Sequence, residues 1–106
     1  MNNLEFYWGD GERKFNLTLD LIEELERVCG QGVGRIASRV FTHDYDTSTL
    51  RHTLRIGLIG GGAAPERADQ LVSPYFNAHG VNYARMICGV LLAEIFEDSV
   101  ERVVPP

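Results

Sequence analysis

Residues 56–72 read IGLIGGGAAPERADQLV. Gly60, Gly61 and Gly62 stand between an apolar run and a segment that opens with Pro65 and Glu66. Two folds are open to this stretch. A strand, a glycine loop and a helix would build a phosphate-binding unit. A helix, a joint and a second helix would not. The Walker loop needs Gly, four residues, then Gly-Lys-Ser/Thr. Gly57 and Gly62 have that gap, but Ala63 and Ala64 stand where Lys and Ser/Thr are required. The fingerprint G-x-G-x-x-G, started at Gly60, fails at Pro65. Both motifs also follow a strand. Here the preceding LRHTLRIGLI places Leu50, Leu54, Gly57 and Leu58 inward at helical spacing, with Arg51 and Arg55 on the other face. Glycine after one helix and proline just inside the next is ordinary helix punctuation. Gly60, Gly61 and Gly62 are therefore read as a helix connector. The rival reading is an anion held at the N-terminus of the next helix. The other glycine run, GQGVG at 30–34, fails as a phosphate loop in the same way at Arg35.

Working outward from the joint, the fourth helix is expected over 65–74, with Pro65 at N1 and Glu66 favourable in the first turn. Ala68, Leu71, Val72 and Tyr75 line one face, and Pro74 should end or kink it. AHG turns the chain into VNYARMICGVLLAEIFED, a helix over 81–97. Its apolar face of Ala84, Ile87, Cys88, Leu91, Leu92, Ile95 and Phe96 is wide enough to make it the central helix. The tail, 98–106, is expected to fray. Upstream, the third helix spans about 47–59, capped by Asp46 or Ser48. Before it, Val33, Ile36, Ala37, Val40 and Phe41 follow i, i+3, i+4, i+7, i+8 and predict a helix over 32–42. LDLIEELERVC predicts a helix over 19–29, with an Asp20–Glu23 capping box, Thr18 as a competing cap and Gly30 as its stop.

The first eighteen residues predict a β-hairpin over about 4–17. Asp10-Gly11 suits a two-residue type I′ turn. That turn sets Trp8 opposite Arg13, Phe6 opposite Phe15 and Leu4 opposite Leu17. One face then collects Leu4, Phe6, Trp8, Phe15 and Leu17; the other collects Glu5, Tyr7, Lys14 and Asn16. A one-residue slip would scramble that partition. A lone hairpin is marginal in water, so its apolar face needs a cover, from its own chain or a partner. Phe6, Trp8, Arg13 and Phe15 are the candidate protein-interface residues. Trp8 leads, because aromatic residues dominate binding energy at contacts, and Arg13 opposite it is placed for a cation–π contact. The predicted class is mainly α: an N-terminal hairpin and about five short helices in one domain of 106 residues.

Composition narrows the function. Hydrophobic residues make up 44% and charged residues 24%, an ordinary globular balance. The net charge of −5, with ten basic residues scattered along the chain, argues against nucleic acid as a main partner. No apolar run approaches the roughly 20 residues that span a bilayer, and the N-terminus lacks an export signal, so a cytoplasmic protein is expected. Cys29 and Cys88 lie on apolar helix faces, where thiols stay protonated and inert. His43, His52 and His79 lack HxH or HxxxH spacing and read as surface or capping groups, and the acidic loop around His43 has too few oxygen ligands for a hard cation. There is no G-x-S-x-G elbow. No catalytic residue, metal or cofactor is expected.

Several stretches together resemble a known family. FYWGDGERKFNLTL at 6–19, ELERVCGQGVG at 24–34, LRIGLIGGG at 54–62 and PERADQLV at 65–72 are similar to the tail proteins of gene transfer agents, relatives of the tail assembly chaperones of long-tailed phages. The resemblance covers most of the chain up to about residue 96. It implies a small helical, non-enzymatic protein working as an oligomer in the bacterial host cell. Its partners would be tape-measure and tail-tube proteins, and its role would be to shield hydrophobic tape-measure surface during tail assembly. The alternative is a structural tail component that stays in the particle. A helical ligand-binding regulator or enzyme comes third.

Overall fold

The computed structural model describes the backbone of residues 3–103 and side chains from residue 3 to residue 97. An antiparallel hairpin, β1 (Leu4–Trp8) and β2 (Gly11–Phe15), precedes five helices. These are α1 (Leu19–Cys29), α2 (Val33–Phe41), α3 (Thr47–Gly60), α4 (Pro65–His79) and α5 (Val81–Val103).

The hairpin turns one step earlier than Asp10-Gly11 would have it. Its loop is Gly9-Asp10, and its pairs are Leu4–Phe15, Phe6–Arg13 and Trp8–Gly11. A type I′ turn over Asp10 and Gly11 needs positive φ at both. In the observed loop only Gly9 takes one, +78°, as a type II′ turn requires. With glycine on each side of Asp10, the loop that spares the aspartate wins. The pairing has moved by two residues, so each side chain keeps its face. Leu17 falls outside the ladder yet is buried, because the chain after β2 bonds a helix instead: Asn16 N–H donates to the Gly57 carbonyl of α3 at 2.9 Å.

That bond belongs to a wider contact. Gly57, Gly60 and Gly61 recur at i, i+3, i+4, so they share one side of the end of α3. A Cβ at Gly60 would overlap the Asn16 carbonyl, and one at Gly61 the Lys14 carbonyl. At Gly57 it would meet Leu91 at 3.1 Å and the Phe15 ring at 3.3 Å. The end of α3 therefore lies backbone to backbone on β2, an approach only glycine allows. The three glycines are a helix connector, and two of them are also a docking face. Gly62 closes the joint with φ +116°.

Helix ends follow local chemistry. Asp46 caps α3, accepting from Thr49 N–H at 2.8 Å and from the Ser48 hydroxyl at 2.9 Å. Hydrogen bonds from Thr49 and Ser48 hold its carboxyl below the usual carboxylate range. Thr18, not Asp20, is the N-cap residue of α1, and it makes no side-chain cap bond; Asp20 lies in the first turn. Gly30 ends α1 in the left-handed region, with φ +70°. The N-cap residue of α2 is Gly32, which has no side chain to cap with, and Glu26 of α1 accepts the Val33 N–H at 2.8 Å.

Three expectations change. α4 does not stop at Pro74 but runs on to His79. Proline removes the N–H that would serve the Gln70 carbonyl and crowds that turn. One residue on, the Leu71 carbonyl accepts the Trp8 indole N–H at 2.7 Å, so the hairpin supports the helix beside its break. The central helix is α3 rather than α5. It packs on α1, α4, α5 and β2, and buries Thr49 and Thr53 besides its aliphatic residues. Thr53 Oγ1 is satisfied within the helix by Thr49 O at 2.8 Å. α5 is a wall, with Ala84, Ile87, Cys88, Leu91 and Leu92 buried, while Met86, Val90 and Phe96 face out; Phe41 at the end of α2 is also half-exposed. Finally, α5 is helical to Val103, so the fraying expected from residue 98 is not seen through 103, and residues 104–106 lie outside the described residues.

Gly61→Ala should lower stability by about 3 kcal/mol or more, since the strand backbone it meets cannot rotate away. Gly34→Ala, in α2 with open space around its Cα, should stabilise by up to about 1 kcal/mol. Urea unfolding of the two variants checks both signs.

Candidate interaction surface

The hairpin residues singled out as interface candidates separate in the structure. Trp8 and Phe15 have no exposed surface at all. Phe6 is partly buried against the core and meets Phe15 edge-to-face at 5.7 Å. The cover that the apolar face needs is thus supplied by the chain's own helices, and Trp8 and Phe15 offer a partner nothing in the folded chain. Arg13 does not stack on Trp8. It pairs with Phe6 across the ladder and clamps the turn, binding the Asp10 carboxylate at 2.7 Å and the Trp8 carbonyl at 3.3 Å.

Trp8 anchors an aromatic cluster where the hairpin tip meets the α4–α5 corner. His79 lies against it at 4.6 Å between ring centroids, and Tyr83 packs on His79 at 5.1 Å while lying parallel to Trp8 at 6.3 Å. Gly9 N–H donates to His79 Nε2 at 2.8 Å, which assigns the ring proton to Nδ1. Tyr83 donates its hydroxyl to the Tyr7 carbonyl at 2.6 Å. His79 is the structural residue that sequence reasoning missed. Its only signal was spacing: Tyr75, His79 and Tyr83 recur every four residues, though Gly80 interrupts the helix between them.

The remaining polar candidates are quieter. His43 sits at the exposed loop with φ +62°. His52 is held below its ordinary value by burial first, then by Arg55 and Arg51. Burial raises the thiols of Cys29 and Cys88, and both are free. Among the described residues, no three His, Cys, Asp or Glu gather in a metal-holding group, and no helix is long and apolar enough to cross a membrane.

Half of the basic residues, scattered in sequence, line two clefts. A cleft of about 140 Å³ between α3 and α4 is lined by Arg51, His52, Arg55, Asp69 and Ser73. A second, of about 360 Å³, lies where the glycine joint meets β2 and α4, lined by Glu12, Arg13, Lys14, Gly61 and Arg67. Together they hold five of the chain's ten basic residues. Arg55 is spoken for by Asp69 at 3.8 Å and His52 at 3.2 Å. Arg51, Lys14 and Arg67 have no ion-pair partner among the described residues.

Residues 2–98 match the family described as "Phage tail tube protein, GTA-gp10", and the chain belongs to that family. Its setting is therefore the tail of a phage or gene transfer agent. No curated protein and no solved structure gives a significant match.

Trp8→Ala should destabilise the folded chain by about 3–5 kcal/mol. Trp8→Phe should lose less, about 1–3 kcal/mol, through the lost indole hydrogen bond to the Leu71 carbonyl and the reduced packing. Chemical denaturation of both variants measures this; an unchanged midpoint for Trp8→Ala would place the indole outside the core.

Proposed function

We propose that this protein is a structural component of the tail, retained in the finished particle as a tube subunit or a part joined to the tube, and that it acts without catalysis. The observation that carries this reading is the family match, which spans nearly the whole chain and whose description is that of a tube protein. The physical picture supports it. Tube parts need rigid bodies with outward contact surfaces. Here the hairpin is locked to α3 by glycine-mediated backbone contact, and Tyr7, Phe41, Met86, Val90 and Phe96 remain outward at 37–50% exposure.

The chaperone reading fits less well. The hairpin's aromatic face is the surface that the sequence offers either to the protein's own core or to a neighbouring subunit. That face is spent on the protein's own core, with Trp8 and Phe15 fully covered. Tail partners and self-association remain, and assembly is assigned to the cytoplasm of the bacterial host.

Quantitative mass spectrometry of purified particles tests the choice. A tail component is expected at a fixed ratio to the other tail proteins, many copies per particle if it forms the tube wall. A chain abundant in the lysate yet absent from particles would refute the proposal and restore the chaperone.

A further inference from the structure

The α3–α4 side is an anomaly on an acidic chain. With a net charge of −5, the protein still lines two clefts beside α4 with cations, Arg51 and Arg55 in one and Arg13, Lys14 and Arg67 in the other; Asp69 and Glu12 line them, and Asp10 engages Arg13. Like charges held together without full compensation cost stability. Two further observations mark the seam as positive. Arg51 and Arg67 are exposed and lack ion-pair partners among the described residues. Arg55 and Arg51 both add to burial in disfavouring the charged form of His52.

The complementary charge is present on the same chain. Glu94 and Glu97 stand about one turn apart on α5 and are half-exposed and exposed, and the sequence continues with Asp98 and Glu101. No ion pair engages Glu94 or Glu97 among the described residues. Among the described residues, no ion pair joins the acidic side chains of α5 to the basic clefts.

We propose that the basic seam between α3 and α4 receives the acidic end of α5 from a second copy of this chain. The contact is heterologous, since groove and helix are different surfaces. Such contacts propagate into rings or helical stacks rather than closing as a dimer. This inference rests on the tail-component reading and gives its self-association a surface. A duplex nucleic acid is the other polyanion such a seam could attract. It is disfavoured by the chain's overall negative charge and by Glu12 and Asp69 inside the clefts.

Charge exchange on the full-length protein tests it, read by sedimentation velocity at low and high salt. Wild type should associate with rising concentration at low salt and dissociate at high salt. Arg51→Glu with Arg67→Glu should weaken association by about tenfold or more, as should Glu94→Lys with Glu97→Lys. An equimolar mixture of the two variants, or all four changes in one chain, should restore it. All four sites are on the surface or half-exposed, and circular dichroism confirms that each variant is folded. Association that ignores every reversal would overturn the proposal while leaving the tail-component reading intact. A wild type that stays monomeric throughout would overturn it too. So would a duplex oligonucleotide that binds the wild type but not the Arg51→Glu, Arg67→Glu variant, in the absence of self-association. The tail-component reading falls separately, on absence of the chain from particles.

Discussion

The structure depends on one contact: the backbone of β2 lying directly on the end of α3. Three positions make it possible, Gly57, Gly60 and Gly61, and at the last two any side chain would occupy the space of a backbone carbonyl, that of Asn16 just after β2 or that of Lys14 within it. Asn16 N–H bonds the Gly57 carbonyl within that contact. A two-stranded hairpin has little stability of its own. Docked this way, it becomes a lid that seals Phe15 and Leu17 into the core and carries Trp8 across to α4. Trp8 in turn supports α4 at the turn Pro74 disturbs, and Gly9 takes up His79 at the far corner. The hairpin is thus a structural part, not a displayed ligand.

How much of this was legible in the sequence depended on the period of each signal. Strand alternation sorted Leu4, Phe6, Trp8 and Phe15 from Glu5, Tyr7 and Lys14 correctly, because that partition survives a shift of two residues. The turn itself was not legible: Gly9-Asp10 and Asp10-Gly11 are both sound two-residue loops, and only the backbone angle at Asp10 separates them. Helical spacing located the helices. It could not show that α4 would outlast Pro74, because the support comes from an indole more than sixty positions away. Nor could it rank α3 above α5 as the central helix. α5 is the more apolar sequence, yet α3 is surrounded because its glycines admit a strand on one side.

The candidate surface was the least legible part. Aromatic side chains on a hairpin serve equally well as core or as interface, and the difference lies in whether a helix of the same chain covers them. For Trp8 and Phe15 one does. The basic seam was hidden for the opposite reason. Arg13, Lys14, Arg51, Arg55 and Arg67 are scattered along the chain and line two clefts, Arg51 and Arg55 one and the other three the second, only because α4 folds back over α3 beside β2. The glycine run that first suggested a phosphate loop is spent on packing, and the family to which the chain belongs places it among tail tube proteins.

Native-state hydrogen exchange at the Asn16 amide tests the central contact most directly. If the strand and α3 form one cooperative unit, Asn16 should exchange only through global unfolding, with the same free energy and denaturant dependence as Leu54 and Ile56 inside α3. Exchange of Asn16 through a local opening, at markedly lower free energy while α3 stays protected, would show that the hairpin is a loosely held flap and would contradict the account.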